Sequence, residues 1–135
     1  MSRSTPIINK PWGNEEIWAT NPQYKAKFLN IDKNHRLSRK YHLSRDHTLY
    51  VLGGSLTVEC GPNAEGDEIT VVQLSEGETF NLYHNEVHRL CAGDSGVSLI
   101  EVSNGGSGDY IRVEDDYGRI DPLNLPGPIP KASSK

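Results

Sequence analysis

Short alternating apolar runs, with no long helical pattern between them, constrain this chain most. EEIWAT, YKAKFLNI, HTLYVLGGSLTVE, EITVVQL, ETFNLY, VHRLCA, VSLIEVS and YIRVE are short apolar and β-branched runs, as expected of strands whose side chains point to opposite faces at each step. Between them stand NPQ, GG, GPNAEGDE, SEGE, YHNE, AGDSG and NGGSGD, built from residues that favour turns. No window of about 12 residues keeps an i, i+3, i+4 apolar spacing. The expectation is an all-β chain of about eight to ten strands, a sandwich or a barrel.

At 135 residues the chain suits one domain. Residues 1–120 are expected to form it. The stretch DPLNLPGPIPKASSK, residues 121–135, holds four prolines, which lack the amide hydrogen a central strand needs. It is expected to be extended or disordered, either packed on a partner subunit or exposed as coil. A net charge of -4 and a pI near 5.7 give no basic field for a polyphosphate backbone, so nucleic acid is excluded as a partner. No apolar run approaches the roughly 20 residues of a membrane span, and MSRSTPIINK lacks the apolar stretch of an export signal. The expected location is cytoplasmic, with Cys60 and Cys91 as reduced structural thiols. Cys91, three positions after His88, has metal ligation as its other reading.

The densest chemistry lies in KNHRLSRKYHLSRDH, residues 33–47. By strand alternation Arg36, Ser38, Lys40 and His42 share a face, while His47, Leu49 and Val51 share another that reads as interior. If HLSRDH is a tight connection between antiparallel neighbours, His42 and His47 come within a few ångströms of each other. YHNEVHRL supplies His84 and His88, and His88 could return beside the first two. Three neutral imidazoles bind first-row transition ions and leave positions open for water or substrate. The other reading is a solvated basic strip.

Five motifs then occur in order: KPWGNEEIW at 10–18, HRLSRKYH at 35–42, LYVLGGSLTVE at 49–59, EGETFNLYHNEVHRL at 76–90 and YIRVEDDYGR at 110–119. Together they resemble the cupin superfamily, and within it the type II mannose-6-phosphate isomerase domain. The resemblance implies a double-stranded β-helix, a jelly-roll barrel with its site at the mouth, and a homodimer. It implies a divalent transition ion (Zn, Fe, Mn or Ni) and lays the family's glutamine, histidine, glutamate and histidine ligands on Lys40, His42, His47 and His88. Histidine at position 47 keeps a metal ligand. Lysine at position 40 opposes one, because an ammonium about 4 Å from a dication is repelled by roughly 8 kcal/mol at an effective dielectric of 20. An anion between Lys40 and the ion resolves this; so does a barrel that has lost its metal and holds an acidic ligand instead. His84 and Asn85 stand where proline and glycine are usual, and Asn85 tolerates a left-handed turn.

The implied activity is interconversion of mannose 6-phosphate and fructose 6-phosphate, in polysaccharide or sugar-nucleotide metabolism. His42, His47 and His88 would hold the metal, Glu101 or Lys40 would move protons, and Arg119, Lys10 and Arg36 would hold a small anionic sugar or metabolite. Each has a plainer reading. Glu101 is otherwise an exposed edge residue, Arg119 a salt-bridge partner of Asp115 or Asp116, and KPWG a turn anchored by a buried indole. The alternatives to isomerisation are a non-catalytic cupin binding a sugar or acidic metabolite, and a three-histidine iron dioxygenase.

Overall fold

The computed structural model describes residues 5–63, 68–105, 108–119 and residue 130. These residues hold nine strands and no helix: β1 (Ile7–Lys10), β2 (Gly13–Thr20), β3 (Tyr24–Ile31), β4 (Arg39–His42), β5 (His47–Cys60), β6 (Thr70–Leu74), β7 (Thr79–Leu82), β8 (His88–Asn104) and β9 (Tyr110–Glu114). The fold is therefore all-β, as the alternation predicts. No helix among the described residues is long and apolar enough to cross a membrane. The proline-rich segment lies outside the described residues, apart from residue 130.

Every strand pairing is antiparallel, and β8 organises them. Its second half lies between β3 and β5, with Ile100 opposite both Phe28 and Tyr50. Its first half runs beside the far end of β5, Leu90 opposite Val58, and meets β4 at Lys40 and His88. β1 and β2 extend the sheet beyond β3, β6 and β7 join β5, and β9 closes on β4. The sheet thus curls around one core in which Leu29, Leu49, Val51, Leu56, Val58 and Leu99 are at most 2% exposed. Burying side chains of this size contributes roughly 1.5–3 kcal/mol each.

The structure departs from the sequence reading in the middle of β8. AGDSG reads as a turn separating VHRLCA from VSLIEVS, yet the strand continues through it for 17 residues. The reason lies across the sheet. Gly54 (φ +83°) and Gly96 (φ +74°) face each other, and a Cβ on Gly54 would stand 2.2 Å from the Gly96 carbonyl oxygen. The glycines let two long strands bend over one another; they do not end them. Asn85 does take the left-handed conformation, at φ +64°.

The segment after β9 is anchored from inside. The fully buried Arg89 donates to the Leu37 carbonyl and to Glu114 and Asp116. Three acceptors satisfy a guanidinium that would be costly to bury alone. The same network takes Arg36, which donates twice to Asp116, at 2.6 and 2.9 Å.

Candidate functional site

Strand register stacks the barrel interior in layers. Leu29, Leu99 and Val51 form an apolar floor on β3, β8 and β5. One step up, Lys27 stands opposite Glu101, which stands opposite Leu49; the next step brings Lys25, Ser103 and His47 together. From the other side β4 and β9 pair Lys40 with Arg112 and His42 with Tyr110. The result is a cavity of about 210 Å³. That is below the ~300–1,000 Å³ of clefts for drug-sized ligands, which suits a ligand of monosaccharide size or less.

Its lining is strongly cationic. Lys10, Lys25, Lys27, Lys40, Arg45, Arg112 and Arg119 face it against two carboxylates, Glu15 and Glu101. The chain as a whole carries a net charge of -4, so this excess of positive charge is local. Glu15 compensates part of it, lying 3.2 Å from the Lys27 ammonium and 3.7 Å from that of Lys10. The Lys40 ammonium and the Arg112 guanidinium both lie over the Tyr110 ring, at 5.1 and 5.4 Å from its centroid. Arg45 packs on Gly108, where a Cβ would meet its guanidinium at 3.7–3.8 Å.

Burial and this field set the protonation states. Burial pulls Lys40 down to about 8, with Glu101 opposing the shift. Burial alone would raise the Glu101 carboxyl, but His47, Lys27, Lys40 and His88 together outweigh it and hold the group below its usual range. Burial depresses all three imidazoles, His88 to about 4 and His42 well below the usual range, and Lys40 depresses each further. The pocket at neutral pH thus holds neutral histidines, an ionised Glu101 carboxylate and a Lys40 that is mostly charged.

The histidines do converge. The His42 ring lies 4.1 Å from that of His47 and 5.5 Å from that of His88. The Nδ1 atoms of His42 and His47 are buried without a hydrogen-bond partner, and His88 Nδ1 is bonded to the Glu86 carbonyl. As donor types they suit a transition ion. In their arrangement the His42 and His88 planes are stacked, 20° apart. Among the described residues no group of three or more His, Cys, Asp or Glu side chains could hold a metal ion. With Lys40 beside them, the residues as arranged do not fit a bound dication.

The other candidates fall in different places. Lys10, Lys40, Glu101, Arg119 and Trp12 line the cavity with His42 and His47, and His88 stacks behind His42. Arg119 does two things, lining the pocket while donating to both Asp115 carboxylate oxygens. Arg36 is outside the lining, because β4 begins only at Arg39 and a bulge between Arg39 and Lys40 breaks the alternation that would align it with Lys40. His84 instead bonds Asp46 at 2.8 Å. Cys60 and Cys91 form no disulfide, and Cys91, pushed up to about 11 by burial, is not in the lining. Sequence reasoning passed over Lys25, Lys27, Arg45, Arg112 and Glu15. The Lys-x-Lys-x-Leu alternation of YKAKFLNI was the available signal: Leu29 is core, so Lys25 and Lys27 had to face inward too.

Against known proteins, the sequence matches the family described as Mannose-6-phosphate isomerase C-terminal over residues 3–122. A search of curated proteins found no match. Among solved structures, the capsular polysaccharide assembling protein CapF from Staphylococcus aureus superposes with a TM-score of 0.74 at 15% identity, covering 84% of this chain and 35% of that one. KdgF from Halomonas sp. gives 0.64 at 22% identity, covering 76% of this chain and 89% of that one. Oxalate decarboxylase from Bacillus subtilis gives 0.70 at 12% identity, covering 81% and 30%. This chain therefore spans about a third of CapF and of the decarboxylase. At such identities the likeness is one of fold, the cupin jelly roll, and cupin relatives commonly bind a divalent metal. With its family pattern running through nearly all of the barrel, the chain belongs to the mannose-6-phosphate isomerase C-terminal family of cupins.

Proposed function

We propose that the barrel binds a small anionic sugar, of the sugar-phosphate class, and moves a proton between its C1 and C2 as the carbonyl passes from one to the other. One observation carries this reading: an ionised, enclosed carboxylate, Glu101, stands among seven cationic side chains in a monosaccharide-sized cavity. Arg119, Arg112, Arg45 and Lys10 are the phosphate clamp, since guanidinium presents paired donors to oxyanions. For open-chain mannose 6-phosphate, the Glu101 carboxylate takes the proton from C2. The electron pair of that C–H bond moves onto the C1 carbonyl oxygen as the enediolate forms, Lys40 donates a hydrogen bond to that oxygen and relays the O2 hydroxyl proton to it, and Glu101 returns the carbon-bound proton to C1 as the C2 carbonyl forms, giving fructose 6-phosphate. The family's name favours this substrate pair. Sugar phosphates of this kind feed polysaccharide and sugar-nucleotide synthesis in the cytoplasm, and one structural neighbour is a capsular polysaccharide assembling protein.

In this reading Lys40 supplies the positive charge that a metal would otherwise supply. A second reading keeps the metal, a divalent transition ion on His42, His47 and His88. The two buried, unpartnered Nδ1 atoms favour it. It requires the rings to turn and Lys40 to withdraw. Metal analysis of protein purified without a histidine tag separates the two, a stoichiometric ion selecting the second.

The test of the activity is incubation of mannose 6-phosphate with the protein in heavy water, followed by proton NMR. Deuterium at C2, lost in Glu101→Gln, is the expected result. Stabilisation by the sugar phosphate without exchange would mean a binding module, and oxygen uptake would mean the dioxygenase alternative; either overturns the isomerase.

A further inference from the structure

Two adjacent aspartates follow β9, and they serve different partners. The Asp116 side chain is 37% exposed and accepts from Arg36 and from the buried Arg89, which ties this segment to β8 and to the chain before β4. The Asp115 side chain is only 5% exposed. It accepts three hydrogen bonds from Arg119: the backbone amide at 2.7 Å and Nε at 3.1 Å reach one carboxylate oxygen, and Nη2 at 2.8 Å reaches the other. Asp116 thus holds the segment, and Asp115 holds one side chain that lines the cavity.

What this clamp leaves free is specific. A guanidinium carries five N–H groups in one plane. Asp115 takes the side edge, the Nε–H and one N–H of Nη2. The remaining end edge offers one N–H from each Nη, parallel and spaced for two oxygens of a phosphate or a carboxylate. Tyr117 fixes the face as well, with the Arg119 guanidinium 5.3 Å from its ring centroid, and the Tyr117 hydroxyl in turn donates to the Arg36 carbonyl at 3.0 Å. Edge, face and backbone are therefore set before any ligand arrives, so the rotamer freedom of a long side chain is lost on folding and not on binding. Burial alone would raise the Asp115 carboxyl, but the hydrogen bonds and charge of Arg119 outweigh it and hold the group below its usual range.

We propose that Asp115 is a positioning residue, which holds Arg119 side-on so that the end edge of the guanidinium receives the anionic group of the ligand. The sugar-phosphate reading above supplies the identity of that group, a phosphate ester, and on this the inference rests. Lysines of the lining attract an anion as point charges without fixing its orientation. The end edge of Arg119 fixes distance and plane together, which proton transfer at the other end of a small ligand requires. Charge alone argues the reverse role. Asp115 and Arg119 sum to zero, so on charge alone removing the carboxylate would tighten anion binding. On positioning, removing it lets the guanidinium swing and weakens binding. One substitution separates the two by sign.

The test is calorimetric titration of mannose 6-phosphate into the unaltered chain, Asp115→Asn, Arg119→Met and the double variant. Asparagine keeps the size and an acceptor for the Arg119 amide, and loses the charge and the paired acceptors. Asp115→Asn is expected to bind roughly tenfold more weakly, with KM for exchange in heavy water rising by a similar factor and kcat changing less. Once Arg119 is replaced, Asp115→Asn is expected to weaken binding no further, whereas a merely structural role would act in both backgrounds. Nitrogen–proton NMR of the ligand-free unaltered chain needs no variant: the Arg119 Nε–H is expected to exchange slowly with water. Fast exchange there overturns the proposal. Unchanged or tighter binding by folded Asp115→Asn, or equal weakening with and without Arg119, overturns it while the sugar-phosphate reading stands. Weakening confined to the Arg119 background, in a chain that shows no C2 exchange, supports the positioning and removes the isomerase. No binding by the unaltered chain overturns both.

Discussion

The two faces of β3, β8 and β5 carry opposite chemistry. Inward, these strands present Lys25, Lys27, Glu101 and His47 above a floor of Leu29, Leu99 and Val51; outward, they present an uncharged face centred on Phe28, Ile100, Tyr50 and Val102. A globular protein usually hides its apolar residues and solvates its charges. Here the charges line an enclosed cavity, where charges kept out of water need partners, and apolar residues stand on the outer face. The two are separable by substitution, because alternate residues of one strand point to opposite faces.

That independence can be broken by experiment. The largest expected effect is Glu101→Gln, which removes the proton acceptor and is expected to slow C2 exchange by about 10²–10⁴-fold while phosphate still stabilises the fold. Val102→Lys on the reverse of the same strand is expected to leave exchange unchanged. An equal loss in both would mean the faces are coupled. Next is the floor they share, where Leu99→Ala is expected to cost about 2–5 kcal/mol in denaturant unfolding, far more than Val102→Ala on the outer face.

Acid is expected to act on the inner face alone. In the folded chain His88 takes a proton only near pH 4, and in the unfolded chain near the ordinary imidazole value of about 6.5. Between those values the unfolded chain binds more protons, so stability falls as pH drops through the window, by on the order of 2–3 kcal/mol for His88 alone. His42 and His47 are shifted the same way and add to it. Melting temperatures from pH 7 to 4 check this, and a flat profile would contradict the burial of the imidazoles. The smallest expected effect is Arg112→Met, which removes one cation of several and is expected to weaken phosphate binding by about 1.5–3 kcal/mol without lowering stability comparably.

Much of this was legible in the sequence because period-two alternation is a local signal. YKAKFLNI and HTLYVLGGSLTVE form β3 and β5 nearly as bounded, and the five motifs pointed to the cupin barrel before any geometry. The exceptions share a cause: each depended on contacts distant in sequence. AGDSG reads as a turn until Gly54 is found opposite Gly96. Arg36 reads as inward until Asp116, eighty residues away, claims its guanidinium. The convergence of His42, His47 and His88 was legible, their ring orientation was not, because spacing does not encode it, and the cationic crowd appears only when β3, β4 and β9 bring their side chains into one cavity.

The central claim is that the barrel interior holds an anion by fixed cations. The direct measurement is calorimetric titration of chelator-treated protein with mannose 6-phosphate and, separately, with mannose. The account predicts saturable binding of the phosphate ester that weakens as salt is raised, and no comparable binding of the neutral sugar. Equal binding of both, or binding of the ester that disappears with the chelated metal and returns when it is restored, would contradict it.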